Sequence, residues 1–394
     1  MKFAFRNNRR LCVGLVLPYL KPRGTEKQAL AIARGLVERG TTVVLFVVQG
    51  WGDSAVYNAF RDAGARVVNV GAPIGVGGKQ VSRRRVLPLA VAARRHRCSV
   101  LFSRASRANR VCALAGRISF IPTLASISRR IQPVTKAESA ESRMSQLIRS
   151  LRFWRGNGFP SRFVTVSQEG AANAARRYPL IAGRVRGIRN GVDADAVRSM
   201  GFMEPDMPVP ADTFLIGFSG SVEMHRKGLD ILLSAMHRIC AKEGDTDIHL
   251  VVVGSGEDED IAKQRVVDLQ LEKSVSFVGE TGNPHAYISR CDLFVLPSRM
   301  EGLPNVLLEA MANGVCSIAA DCDTGPREII TDGVNGRLFP VGDSRALADL
   351  IVELRNNDEA RAKLAAEGEH TARTRFSQGR MVEEYASLLH ELSG

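Results

Sequence analysis

Ser298-Arg-Met-Glu-Gly-Leu-Pro-Asn-Val-Leu-Leu-Glu-Ala-Met-Ala-Asn-Gly314 is bracketed by two apolar runs, Asp292-Leu-Phe-Val-Leu-Pro297 before it and Val315-Cys-Ser-Ile-Ala-Ala320 after it. Such runs, apolar without alternation, read as strands buried on both faces, the habit of parallel sheets. The stretch between them reads as a loop and a helix. Pro304 is tolerated in the first helical turn, where a missing N–H is no loss, and Asn313-Gly314 supplies a helix stop. A loop at the carboxyl end of a strand therefore feeds a helix N-terminus, whose free N–H groups and positive dipole end favour an anion such as phosphate. Glu301 lies in the loop beside that seat. Glu309 follows eight residues later, on the order of 12 Å away if the path is helical at about 1.5 Å per residue. A phosphorylated ligand with hydroxyls at both ends fits that separation, although either glutamate taken alone reads equally well as a solvated helix charge.

Outward from this point, strands alternate with amphipathic helices in both halves, which predicts an α/β architecture with parallel sheets. The first half runs through Leu11–Leu17, a helix at about 26–39, Thr42–Val48, Arg66–Val70, Ser99–Ser103, Pro122–Ser126 and Phe163–Ser167. Residues 132–160, polar and basic and ending in Gly156-Asn-Gly-Phe-Pro160, read as a helix and a mobile loop. Gly201, Pro205, Pro208 and Pro210 mark an interdomain linker over about 197–212. A second sheet then follows from Phe214–Ser219 through His249–Val253, Val275–Val278, Leu293–Leu296 and Val315–Ala319. The expected domains are 1–195 and 196–376, with a C-terminal helix at about 377–394 available to pack back on the first.

Composition supports two cores: 394 residues exceed what one core usually serves, and 45% are hydrophobic. Seven scattered cysteines, without a CxxC pair, read as reduced core thiols of a cytosolic protein, and the seven histidines lack metal-ligand spacing, so no metal site is expected. Leu11–Leu17 follows Arg9-Arg10 in the manner of a signal peptide but no small-residue cleavage site follows, and no run reaches the length of a membrane span. Charge is uneven. Residues 1–195 hold 35 Lys and Arg against 9 Asp and Glu, net +26, whereas the remainder, with 19 against 32, is net −13. The basic clusters at Arg83–Arg85, Arg94–Arg97, Arg129-Arg130 and the Arg143/Arg149/Arg152/Arg155 series suit nucleic acid, anionic lipid or an acidic glycan. Few aromatics interleave with them and no nucleic-acid motif is present, which argues against nucleic acid. Arg149, Leu151, Arg152, Phe153, Trp154 and Arg155 combine cations with apolar side chains as interfacial segments do, so docking on an anionic membrane is expected.

Three further motifs lie at strand ends. Lys21-Pro-Arg-Gly-Thr-Glu26 opens a helix after the first strand, and Gly24 lets backbone approach an anion. Ser219-Gly-Ser-Val-Glu-Met-His-Arg-Lys-Gly228 places Arg226 and Lys227, a fork and a point charge for phosphate, ahead of another helix. Val252-Val-Gly-Ser-Gly256 runs into the acidic block Glu257–Asp260 and fails as a dinucleotide fingerprint for want of a third glycine.

Together, the segment Glu301–Gly314, the glycine loop with Glu26, Lys227, the Arg189-Asn-Gly-Val-Asp193 turn, Val278-Gly-Glu-Thr281, and Gly325-Pro-Arg-Glu328 through Asp332-Gly-Val-Asn-Gly336 resemble retaining glycosyltransferases of family 4. The likeness extends to the bacterial enzymes of envelope polysaccharide and lipopolysaccharide synthesis. It implies the GT-B fold, two Rossmann-like parallel-sheet domains facing across a cleft. It also implies site roles: Glu301 on the transferred sugar, Glu309 on the nucleotide ribose, the amides of Leu303, Asn305 and Val306 on sugar hydroxyls and diphosphate, Lys227 on the leaving phosphates, Thr281 near the base and Gly24 on the acceptor side. Three positions depart from the pattern: Arg23 replaces a glycine, Ser128 a histidine, and Ser221 the usual arginine, for which Arg226 is the candidate substitute. The implied function is transfer of a hexose or N-acetylhexosamine from a UDP-sugar, without cofactor or metal, to a lipid-linked or envelope glycan at the inner face of the membrane. A soluble small-molecule acceptor, or a non-catalytic nucleotide-sugar or nucleic-acid binder of the same fold, are the alternatives.

Overall fold

The computed structural model describes residues 11–21, 24–50, 52–71, 81–127, 142–210, 213–243 and 247–394. The expectations for Arg23 and Ser128, and the Arg129-Arg130 cluster, lie outside them. The chain divides into two compact units, Met1–Arg189 with Gly379–Gly394, and Asn190–Gln378.

In the first unit the order is β1 (Cys12–Leu17), α1 (Gly24–Glu38), β2 (Thr42–Val47), α2 (Ser54–Asp62), β3 (Arg66–Asn69), α3 (Val86–Arg95), β4 (Val100–Ser103), α4 (Ser106–Ser119), β5 (Thr123–Ile127), α5 (Arg143–Gly156), β6 (Arg162–Thr165), α6 (Gln168–Arg177) and β7 (Val185–Gly187). The strands form one sheet in the order β3-β2-β1-β4-β5-β6-β7, and every neighbouring pair is parallel. Every residue of β1, β4 and β5 is buried, as expected where helices cover both faces of a parallel sheet.

The second unit contains α7 (Ala194–Gly201), β8 (Phe214–Ser219), α8 (Met224–Lys227), α9 (Leu229–Glu243), β9 (Ile248–Val253), α10 (Glu259–Asp268), β10 (Val275–Gly279), α11 (His285–Ile288), β11 (Leu293–Leu296), α12 (Asn305–Ala312), β12 (Cys316–Ala320), α13 (Pro326–Ile329), β13 (Arg337–Phe339), α14 (Ser344–Arg355) and α15 (Asp358–Thr374), before α16 (Gln378–Ser393). Its sheet order is β10-β9-β8-β11-β12-β13, again parallel throughout. The core gathers Phe218, Leu250, Val252, Leu293, Ile318 and Phe339 from one face of the sheet against Leu232 and Met236 of α9, each worth about 1.5–3 kcal/mol when fully buried.

The C-terminal helix belongs to the first unit from Gly379 onward. Its buried side chains Met381, Val382, Tyr385, Leu388 and Leu389 recur at helical spacing. The Tyr385 ring stacks on Phe102 at 5.3 Å, and its hydroxyl accepts a 2.9 Å hydrogen bond from Arg104.

Two local expectations differ from the structure. The stretch read as a linker lies in the second unit and is pinned there: Ser289 Oγ donates to the Gly201 carbonyl at 2.7 Å, and the Met207 amide donates to the Tyr287 hydroxyl at 2.9 Å. Proline and glycine there serve a packed irregular path. Gly156–Pro160, read as a mobile loop, is a packed helix stop in which Phe159 N donates to the Trp154 carbonyl at 3.0 Å and Trp154 Nε1 to the Pro160 carbonyl at 3.2 Å.

Candidate functional site at the switch point of the second sheet

In the second sheet the chain builds outward from β8 through β9 to β10, then returns to β11 on the other side of β8 and proceeds to β12 and β13. The crevice at the carboxyl ends of β8 and β11 is thus the topological switch point, where the connections diverge and open α/β sheets hold their ligands. Lys227 arrives there on the connection after β8, and Glu301 on the connection after β11.

The two connections are fastened together by backbone. Gly228 has φ +72°, and a Cβ there would lie 2.0 Å from the Pro297 carbonyl oxygen, so only glycine lets the end of α8 close against the end of β11. Arg299 N donates to the Arg226 carbonyl at 3.1 Å. The Arg299 guanidinium forks onto both carboxylate oxygens of Asp230 at 2.7 Å each and also donates to the His225 carbonyl. The β9 connection lies close by, since a Cβ on Gly254 (φ +124°) would fall 2.1 Å from the Gly220 carbonyl oxygen. Asp258, from the acidic block, accepts the Met224 amide at 2.8 Å and so caps α8. That glycine-rich segment therefore holds the neighbouring loop.

At the centre, Lys227 Nζ lies 2.7 Å from Glu301 Oε1, with side chains only 15% and 11% exposed. Ser298 Oγ donates to the same oxygen at 2.8 Å, and Thr324 Oγ1 donates to the Glu301 carbonyl at 2.5 Å. The carboxylate is thus oriented by β11, α8 and the connection after β12 together. Arg226 points elsewhere: its guanidinium forks onto the Glu223 carboxylate, with Nε–Oε2 at 2.6 Å and Nη2 bonded to Oε1. That fork and the Ser221 hydroxyl hold Glu223 down to about 2 against the upward push of burial. The arginine proposed to replace the missing cation is therefore already paired, and the two cation–carboxylate pairs leave the side-chain charge of the cluster balanced.

Glu301 leads into α12, which starts at Asn305, with Pro304 as N-cap in extended conformation and not inside the first turn. Its proline ring supplies no donor, and Leu308 N is the first amide to bond back, to the Pro304 carbonyl at 3.4 Å. Asn305 and Val306 are therefore the first two helical residues, and their amides belong to the positive end of the dipole. Leu303 is buried. Asn190 Nδ2 donates to Asn305 Oδ1 at 2.9 Å. Glu309 stands one turn further along α12, partly exposed.

Thr281 lies beyond β10, two strands from the switch point; its hydroxyl donates to Asp206 at 2.9 Å and accepts the Asn283 amide at 3.1 Å. Gly24 opens α1 after β1 in the first unit. The structure thus joins Lys227, Glu301 and the start of α12, while Arg226 is turned to Glu223 and Thr281 stands at a separate strand end. Sequence reading missed Ser298, Thr324 and Asn190, which hold Glu301 and Asn305. Ser298 directly follows a strand end and could have been suspected; nothing local marks Thr324. Among the described residues no group of three or more His, Cys, Asp or Glu side chains could hold a metal, and no helix is long and apolar enough to cross a membrane.

Doubly wound sheets with a cation–carboxylate pair and a helix N-terminus at one switch point define a class of α/β proteins built to take a phosphorylated ligand. Comparison with known proteins narrows the class. The family model Glycosyltransferase Family 4 matches residues 22–196, and Glycosyl transferases group 1 matches residues 203–371. The lipopolysaccharide core biosynthesis glycosyltransferase LpsD of Rhizobium meliloti is 30% identical over 217 residues, covering 53% of this chain and 61% of its own. A phosphatidyl-myo-inositol mannosyltransferase of Mycobacterium leprae is 34% identical over 187 residues, covering 47% and 48%. The chain spans about half the length of the curated relatives it matches. Anabaena Alr3699/HepE, solved in complex with UDP, superposes with TM-score 0.75 at 20% identity over 97% of this chain and 100% of its own. WaaG, a glycosyltransferase involved in lipopolysaccharide biosynthesis, superposes with TM-score 0.68 at 16% identity over 96% and 99%. The chain thus carries a Glycosyltransferase Family 4 domain followed by a Glycosyl transferases group 1 domain, and its fold is GT-B.

Proposed function

We propose that this chain transfers a hexose or N-acetylhexosamine from a UDP-sugar, with retention, to a lipid-linked or envelope glycan acceptor. The observation that carries the reading is the 2.7 Å Lys227–Glu301 pair at the switch point, directly ahead of the α12 N-terminus. A nucleoside diphosphate seated there meets Lys227 and the amides of Asn305 and Val306, which stabilise the charge that grows as the sugar C1–O bond breaks. When the phosphate draws Lys227 away, Glu301 is left facing the sugar, where its negative charge favours the oxocarbenium-like centre. The acceptor hydroxyl bonds to C1 on the face the diphosphate leaves and gives its proton to the departing phosphate oxygen, so no protein nucleophile is involved. Glu309 binds the ribose. This reading assigns no metal, because the ammonium group and the helix dipole carry the neutralisation. HepE, a structural neighbour, was solved with UDP and with UDP-glucose, which supports uracil as the base. The relatives named for lipopolysaccharide core synthesis support an envelope acceptor, and the basic first half supports recruitment to the inner face of the membrane.

A thermal-shift panel in EDTA, followed by transfer assays with labelled donors and product analysis, tests this reading. UDP or a UDP-sugar should raise Tm. Glu309→Ala should mainly weaken nucleotide affinity, because a ribose contact acts equally in ground and transition states. Glu301→Ala and Lys227→Ala should mainly cut turnover. A shift with GDP or ADP alone, or equal small effects of all three substitutions, would reject the assignment.

A further inference from the structure

Helix α5 carries its hydrophobic residues on the wrong side for a helix that serves only its own fold. At about 100° per residue, Met144, Leu147, Ile148 and Leu151 fall on one stripe, and they are 65%, 40%, 43% and 48% exposed. The opposite face turns Gln146 and Arg149 inward with Ser150, which is fully buried and donates to the Gln146 carbonyl at 2.8 Å. Phe153 and Trp154, expected from sequence to be the membrane-facing aromatics, are committed inside: Phe153 stacks on Tyr178 at 4.0 Å, and Trp154 meets Phe159 edge-on at 5.3 Å. The cations sit differently. Arg155 continues the exposed stripe, and Arg143 and Arg152 flank it on either side, all three exposed. From Ser142 to Thr165 the chain holds five arginines and no acidic residue.

We propose that this outward face of α5 docks on an anionic lipid bilayer, the Met144/Leu147/Ile148/Leu151 stripe entering the headgroup–acyl boundary while Arg143, Arg152 and Arg155 bind lipid phosphates. The choice of occupant follows from charge. An apolar stripe flanked by the exposed Arg143, Arg152 and Arg155 matches an anionic surface, whereas a second copy of the same face would set arginine against arginine. The inference deepens the membrane part of the proposed function and is independent of the transfer chemistry.

Vesicle cosedimentation of the whole protein, with phosphatidylglycerol-containing and pure phosphatidylcholine vesicles, is the test. Binding is expected only with phosphatidylglycerol, weakening as salt rises. Leu147→Ser with Leu151→Ser should lower partitioning about tenfold or more, and Arg143→Ser with Arg152→Ser about fivefold per arginine. The UDP-induced Tm shift on the same variants reports the second unit separately, so loss of docking is distinguished from loss of donor binding or of fold. Wild-type binding by the leucine variant, equal binding to phosphatidylcholine, or a dimer in sedimentation that this variant dissolves without any vesicle binding would each overturn the proposal.

Discussion

Neutralising one member of the Lys227–Glu301 pair should cost more stability than neutralising both. At 2.7 Å and an effective dielectric of about 20, the gross attraction is about 6 kcal/mol. Much of that is offset by the desolvation of two charges whose side chains are only 15% and 11% exposed. Lys227→Met removes the attraction and leaves the Glu301 carboxylate in place, held by one Ser298 hydroxyl. Glu301→Gln strands the ammonium in the same way. Each single substitution is expected to cost about 3 kcal/mol, the lower end of the range for breaking a buried pair, because neither group is wholly dry. For a unit of this size that is a fall in Tm of roughly 6–12 °C. The double substitution strands no charge and is expected to cost about 1 kcal/mol, a coupling of about 5 kcal/mol against the sum of the singles.

Differential scanning calorimetry and urea titration, following the second unit, read this cycle. Transfer activity provides the contrast: the double variant should regain stability yet remain as inactive as the worse single, because the charges that act on diphosphate and sugar are both gone. Additive losses in the cycle, or singles within about 0.5 kcal/mol of wild type, would refute the account of the pair as a partly buried, mutually dependent unit.

Gly228→Ala should lower Tm and weaken diphosphate binding together, since a methyl group at φ +72° and 2.0 Å from the Pro297 carbonyl forces the Lys227 turn off β11, at about 1–3 kcal/mol for the backbone strain alone; unchanged affinity and melting in the variant would count against that fastening. His249, buried and bonded through Nε2 to Ser276 Oγ at 2.7 Å, has its pKa lowered chiefly by that burial. The unfolded imidazole therefore takes up its proton first as pH falls below about 6.5, and stability that is complete at neutral pH drains away until the folded imidazole titrates too. The slope reaches up to about 1.4 kcal/mol per pH unit. His249→Gln should flatten unfolding free energy against pH between 7 and 5 by that amount, and an unchanged slope would show that His249 is not the titrating group.

Much of this was legible in the sequence because short apolar runs without alternation, bounded by turn residues, read as strands buried on both faces. β1, β2, β4, β8, β9, β11 and β12 all carry that signature. β7 and β13, three residues each, did not show, since a pattern that short has no period to read. The pairing of Lys227 with Glu301, 74 residues apart in sequence, follows only from sheet order, which strand patterns leave open. The pairing of Arg226 with Glu223 was hidden for a related reason. The sequence placed a cation beside the anion seat, but whether that cation is available depends on Glu223, one helical turn back, and a Glu three residues from an Arg reads equally as a partner or as two solvated charges.

Helix α5 shows the same limit in angular form. Read along the chain, Arg149 to Arg155 mixes cations with a leucine, a phenylalanine and a tryptophan, which is the composition of an interfacial segment. A helix sorts neighbours by 100°, however, and sends Phe153 and Trp154 about 180° and 80° away from the direction of Met144. The aromatics therefore fall toward Tyr178, Phe159 and Phe163 in the interior. What reaches solvent is the less conspicuous set three and four residues apart, Met144, Leu147, Ile148 and Leu151. Composition was enough to suggest the kind of surface. Deciding which residues present it required knowing which side of the helix the rest of the unit occupies, and Ser150 marks that side, because a serine has no apolar reason to be the most buried residue of an amphipathic helix unless the apolar face has been given to something outside.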